Sequence, residues 1–165
     1  MKTLYLMRHA KSSWSFDDLN DHERPLNDRG RDDAPRMGQA LAKRDIHPDL
    51  VVSSPAVRAL STAVLVAREL KYANDKIEVE PAIYEADLKT LLAVIHALPD
   101  GANSVLLTGH NPTITDVANQ LSPSPLSDEM PTAGILCLRF QAERWAEVQR
   151  ANAEFYFFDY PKNVG

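Results

Sequence analysis

Short apolar runs alternate with longer amphipathic ones along almost the whole chain. The runs TLYLM (3–7), LVVS (50–53), IEV (77–79), SVLLT (104–108), GILCLRF (134–140) and EFYFF (154–158) have the length and apolar character of buried strands. Helical stretches fall at about 28–44, 55–70, 87–98 and 112–121. In the second, Val57, Leu60, Val64 and Ala67 recur at helical spacing, and in the third Leu88, Leu91, Leu92 and Ile95 do so. Strands alternating with helices predict an α/β fold, with a mostly parallel central sheet covered on both faces. The polar link RWAEVQRANA between the last two strands is short, which predicts an antiparallel pair at one edge. Pro35 predicts a kink or restart within the first helix.

Two stretches fit neither period. Residues 10–26, AKSSWSFDDLNDHERPL, read as a long polar loop carrying Trp14 and Phe16, and residues 122–131, SPSPLSDEMP, are too rich in Pro and Ser for helix or strand. Long loops in compact domains gather around binding sites, which favours a functional role for the first. With no internal repeat and no dividing linker, the 165 residues are expected to form a single domain, 1–165. A net charge of −5 argues against general nucleic-acid binding, which needs a basic face. The lone Cys137 excludes an internal disulfide and reads as a core thiol. The first apolar run is too short for a signal peptide, and none is long enough to cross a bilayer, so a cytoplasmic protein with no membrane partner is expected.

The ends of the strands hold the chemistry. In open parallel sheets ligands bind beyond the carboxyl ends of the strands. Strand one ends in Arg8-His9. Strand two ends in SSPAVRA (53–59), where Ser54 suits a helix cap, Pro55 the first helical position and Arg58 the first turn. Strand four ends in TGHNP (108–112), with Asn111 as cap, Pro112 as first helical residue and His110 just before. Two helix N-termini would then aim backbone N–H groups at the crevice where Arg8, Arg58, His9 and His110 meet, an arrangement suited to an anion.

A phosphoryl group is the natural occupant, because guanidinium forks match its oxygens. The chain has no GxxxxGK[ST] loop and no GxGxxG after a strand, so glycine cradling of a nucleotide is not expected. HExxH, Cys-His spacing and aspartate runs after a strand are also missing, so no metal and no cofactor are expected, and arginines would neutralise the charge of transfer. A neutral imidazole can attack phosphorus to give a covalent phosphohistidine. His9 is the candidate nucleophile, with Arg8 holding the oxygens.

LMRHA, SSPAVRALST and TGHNP, in that order, resemble the histidine phosphatase superfamily, also called phosphoglycerate-mutase-like. Short length and ERPLNDRG (23–30) are most similar to its small phosphohistidine-phosphatase branch, the SixA type. The resemblance implies a three-layer α/β/α sandwich and a metal-independent phosphohydrolase. It implies His9 as nucleophile, Arg8 and Arg58 as phosphate ligands, and His110 as a hydrogen-bonding stabiliser of the transferring group. Arg24 would be a further phosphate ligand. Larger members use an acid after the third strand, a place that IYEAD fills with Glu85, the better match, or Asp87. TAGI (132–135) looks like the stretch that closes the pocket, and Ala10 stands where the commonest signature has Gly. The implied substrate is a phosphorylated protein carrying phosphohistidine; the alternatives are a small phosphate ester, or a binding module without turnover. His22, His47 and His96 are expected at the surface, and Asp17, Asp18, Asp21 and Glu23 as a solvated acidic face rather than a screen that selects substrates by charge.

Overall fold

The computed structural model describes residues 1–164. Its centre is a six-stranded sheet in the order β3-β2-β4-β1-β5-β6. The strands are β1 (Lys2–Arg8), β2 (Leu50–Ser53), β3 (Glu78–Val79), β4 (Ser104–Gly109), β5 (Ile135–Phe140) and β6 (Ala153–Asp159). β3, β2, β4 and β1 run parallel, whereas β5 pairs antiparallel with β1 and β6 antiparallel with β5. The helices are α1 (Asp28–Lys43), α2 (Val57–Glu69), α3 (Leu88–His96) and α4 (Thr113–Leu121).

Alternation along β1 explains the layers. Tyr5 and Met7 point into a core shared with Ala34, Met37 and Leu41 of α1 and Ala63 and Val66 of α2. Leu4 and Leu6 point the opposite way, into a core with Leu91 and Ile95 of α3 and Ile114, Val117 and Ala118 of α4. A central strand with helices on both sides must be apolar on both faces, and Leu4, Leu6 and Met7 have no exposed surface. The expected sandwich and its antiparallel edge are therefore present.

Three local expectations give way. α1 runs through Pro35 without a restart. A proline removes one helical hydrogen bond, and here packing of Ala34, Met37 and Leu41 on the sheet outweighs that loss. α2 begins at Val57 rather than at Pro55, and α4 at Thr113 rather than at Pro112. Neither Ser54 nor Asn111 caps its helix, because each side chain has a tertiary partner, described below.

The topology creates one crevice. From β1 the chain crosses to β2 through α1; from β4 it crosses to β5, on the far side of β1, through α4. Connections leaving β1 and β4 thus depart in opposite directions, the switch point at which α/β sheets open a cleft. Register brings the ends level: Arg8 pairs with Gly109, and Ser53 with Thr108. His9, Ser54 and His110 each follow directly on those pairs.

Candidate active site

His9 is held by backbone from three sides. Its N–H donates to Gly109 O at 3.0 Å, its carbonyl accepts from Ala133 N at 3.1 Å, and Arg8 N donates to Gly134 O at 3.1 Å. The TAGI segment thus closes on the Arg8-His9 backbone, with Ala133 at φ 63°. The following residue is anchored to α2, since Ala10 N donates to Thr62 Oγ1 at 2.9 Å and Thr62 Oγ1 donates to Arg58 O at 2.7 Å. Ala10 is fully buried, so the methyl in place of Gly is accommodated in the core.

The imidazole of His9 is 8% exposed. Nδ1 lies 2.7 Å from Ala10 O, and a carbonyl only accepts, so Nδ1 carries the proton and Nε2 bears the lone pair. Burial, together with the guanidiniums of Arg58, Arg8 and Arg24, pushes its pKa down to about 4. At neutral pH the ring is therefore uncharged, with its lone pair on Nε2.

The ring of His110 lies 5.3 Å from that of His9, tilted by 54°. Its Nε2 is 2.7 Å from Ser54 Oγ. Among the described residues the buried Ser54 hydroxyl, which accepts from Ala56 N at 3.2 Å, has no acceptor for its own proton other than Nε2, which places the ring proton on Nδ1. Ser54 is fully buried and acts here on the site rather than as a helix cap. Burial, the neighbouring His9 and Arg58 push the pKa of His110 down to about 3.

Three guanidiniums surround the pair. Arg8 Nη1 donates to Met130 O at 2.9 Å, the same carbonyl that accepts from Asn111 Nδ2 at 3.1 Å. Asn111 Oδ1 in turn accepts from Thr115 Oγ1 at 2.7 Å, so Asn111 ties α4 to the end of the Pro-rich loop. Arg58 gives Nη1 to Asp21 O at 2.6 Å and Nη2 to Asp21 Oδ2 at 2.9 Å. Arg24 gives Nε to Asp21 Oδ1 at 3.2 Å and Nη1 to Ser12 Oγ at 2.8 Å, and its guanidinium lies 3.5 Å from the centre of the Trp14 ring. Among the described residues, the buried side-chain polar atoms without a hydrogen-bond partner are Arg8 Nε, Arg58 Nε and His110 Nδ1. All three are N–H donors beside His9.

Asp21 is the residue that sequence reasoning misplaced. It belongs to a short 3₁₀ turn (Asp21–Glu23) and bridges Arg24 and Arg58, while Tyr84 Oη donates to its Oδ2 at 2.7 Å. Partial burial would raise its pKa, but the hydrogen bonds from Tyr84, Arg58 and Arg24 prevail and hold it at about 2. Tyr84 itself packs edge-on against His110 at 5.7 Å and His22 at 5.1 Å. The spacing of Asp21, three residues before Arg24, points to that pair alone and not to Arg58 or Tyr84. Tyr84 left no signal.

The remaining predicted residues divide. Glu85 is exposed, sits at φ 59°, and lines an open cleft of about 430 Å³ together with His110, Asp87 and Asn111. Asp87 caps α3, accepting from Thr90 N at 2.8 Å. His47 is exposed beside Asp45, whereas His96 is partly buried and bonded to Val148 O at 2.9 Å. His22 is half-buried against Tyr84, and Asp17, Asp18 and Glu23 are exposed as expected. Cys137 is buried in β5, and burial pushes its thiol up to about 12.

Comparison with known proteins agrees with this geometry. The family model of the histidine phosphatase superfamily (branch 1) matches residues 4–92. An uncharacterized protein of Mycobacterium leprae is 32% identical over 167 residues, spanning 94% of this chain and all of that protein. Among solved structures, the protein histidine phosphatase SixA complexed with tungstate superposes with a TM-score of 0.82 at 25% identity, over 99% of both chains. A putative phosphohistidine phosphatase SixA from Agrobacterium tumefaciens gives 0.80 at 28% identity, over 97% of this chain and 98% of that one. The chain belongs to the histidine phosphatase superfamily. It is a phosphatase. Among the described residues no helix is long and apolar enough to cross a membrane.

Proposed function

We propose that this phosphatase hydrolyses phosphohistidine on a protein, through a phosphoryl group carried transiently on His9. The observation that carries the reading is the set of three unpartnered buried donors, Arg8 Nε, Arg58 Nε and His110 Nδ1. Leaving a buried N–H unsatisfied costs about 1–3 kcal/mol, so three around one imidazole point to an oxyanion that they are built to receive. The similarity to SixA bound to tungstate, a tetrahedral oxyanion, supports the same occupant.

The chemistry runs as two displacements. The Nε2 lone pair of His9 attacks phosphorus, and the bond from phosphorus to the departing nitrogen breaks with its electron pair going to that nitrogen. The phosphoryl oxygens gain charge and are met by Arg8, Arg58, Arg24 and Nδ1–H of His110. Water then attacks the phosphorus on His9, the pair of the phosphorus–Nε2 bond returns to the ring, and phosphate leaves. Throughout, Ala10 O keeps the proton on Nδ1, so the attacking atom stays the same. Arginines supply the charge neutralisation, and turnover without added metal is part of the proposal.

Hydrolysis of small phosphate esters is the second reading, and Glu85 in the cleft beside His110 favours it, since an alkoxide leaving group needs a proton donor. The two are separated by measuring phosphate release from a phosphohistidine peptide and from phosphate esters, with native protein and with His9→Ala. Rapid, His9-dependent release from the peptide supports the proposal. Release from esters alone would replace it.

A further inference from the structure

Three guanidiniums, Arg8, Arg24 and Arg58, gather around His9, whereas a phosphoryl group of a bound substrate brings two negative charges. The guanidiniums outnumber those charges, and Asp21 is the carboxylate that pairs with two of them. Its carboxylate takes Nε of Arg24 at 3.2 Å, Nη2 of Arg58 at 2.9 Å and the hydroxyl of Tyr84 at 2.7 Å. The two arginine side chains are 10% and 7% exposed and that of Asp21 is 51% exposed, so the carboxylate forms the solvent side of the cluster. A leaving group that departs toward solvent on this side would pass it.

We infer that Asp21 determines substrate class, favouring a phosphoryl donor whose ring is a cation until it departs neutral over one whose leaving group departs as an anion. The inference rests on the phosphatase reading above and sharpens it. A phosphohistidine ring protonated on its distal nitrogen is a cation; when the phosphorus–nitrogen bond breaks, the electron pair goes to the ring, which leaves as neutral imidazole and needs no further proton. With Asp21 in place, that cation enters a site with one positive charge fewer. Without Asp21 it would be repelled by the surplus positive charge, which would instead help an alkoxide or phenoxide to depart. Asp21 thereby works in the opposite sense to the arginines it holds.

The test compares phosphohistidine and phosphotyrosine peptides of otherwise identical sequence, with native protein, Asp21→Asn and Asp21→Glu. The quantity read is the ratio of kcat/KM for the two substrates. Losing one charge beside a titrating ring is expected to lower that ratio about tenfold in Asp21→Asn, as a change of one pKa unit would. Asp21→Glu, which keeps the charge, should keep the preference. Asp21→Ser serves as a second neutral variant, and thermal melts confirm that each protein is folded. If kcat/KM falls equally for both substrates, Asp21 only holds the arginines in place and the inference is overturned. If native protein acts on neither peptide, or on phosphotyrosine alone, the underlying reading fails with it, a result distinct from an unchanged ratio in an active enzyme.

Discussion

Gly30→Ala is expected to cost activity despite lying in a helix and bearing no functional group. Gly30 is the third residue of α1, and its N–H is capped by Asn27 Oδ1 at 2.9 Å. On helix propensity alone the substitution should stabilise the protein by about 1 kcal/mol. A Cβ at this position would, however, lie 2.2 Å from Lys11 O. Carbon and carbonyl oxygen approach to about 3.3 Å at closest, so the two backbones must part by about 1 Å. Lys11 O also accepts from Asn27 N at 3.0 Å, and the adjoining Ala10 is tied to both Thr62 and His9. The displacement therefore reaches the imidazole. Overpacking should lower stability by about 1–3 kcal/mol, and a misplacement of about 1 Å at His9, the proposed nucleophile, should lower kcat about 100-fold. The assay is kcat and KM of purified variant with a thermal melt on the same sample. A variant that melts earlier but keeps native kcat would refute the reasoning, because α1 rather than the His9 segment would then have moved.

Other consequences follow from the same geometry. Ser54→Ala removes the 2.7 Å bond that holds His110 Nε2, and kcat should drop about tenfold for a lost hydrogen bond of roughly 1–1.5 kcal/mol while KM changes little. Arg58→Lys keeps the charge but not the fork that spans Asp21 O and Oδ2, so kcat/KM should fall by about 10²–10³, measured by phosphate release. Glu85→Gln should slow hydrolysis of an alkyl phosphate by at least about 10² and leave phosphohistidine hydrolysis unchanged; equal slowing of both would remove Glu85 from the role of proton donor. Stability should fall as pH drops from 6 towards 4, because the unfolded chain binds protons at two histidines whose folded pKa values, about 4 and about 3, exclude them. The slope approaches about 3 kcal/mol per pH unit, and His9→Gln should halve it in denaturant titrations. Asp21, held at about 2, adds its own loss only at lower pH.

Much of this was legible in the chain because local pattern and global fold agree. The apolar runs that became β1, β2 and β4 are buried on both faces, so run length and apolar character placed them, and the strand ends delivered His9, Ser54 and His110 in register. β3 shrank to Glu78–Val79, both exposed at the edge of the sheet, where little burial extends a strand. The rules for helix caps failed at Ser54 and Asn111 for one reason: each side chain reaches a distant partner, His110 across 56 residues and Met130 across 19. Asp21 was hidden more thoroughly. It stands in an acidic run whose other members are indeed solvated, and what distinguishes it is contact with Arg58 and Tyr84, 37 and 63 residues away. No spacing along the chain encodes such a bridge; only the crossing of α2 and the segment after β3 at the same sheet edge creates it.

The most direct test of the account is to look for the phosphoryl group on His9. Native protein is mixed briefly with a phosphohistidine peptide, quenched at alkaline pH where phosphohistidine survives, digested and mapped by mass spectrometry. The account predicts one phosphoryl group on the peptide containing His9, formed and lost on the time scale of turnover, and none in His9→Ala. Phosphate released at the native rate by His9→Ala, or turnover with the phosphoryl group on another residue, would contradict it.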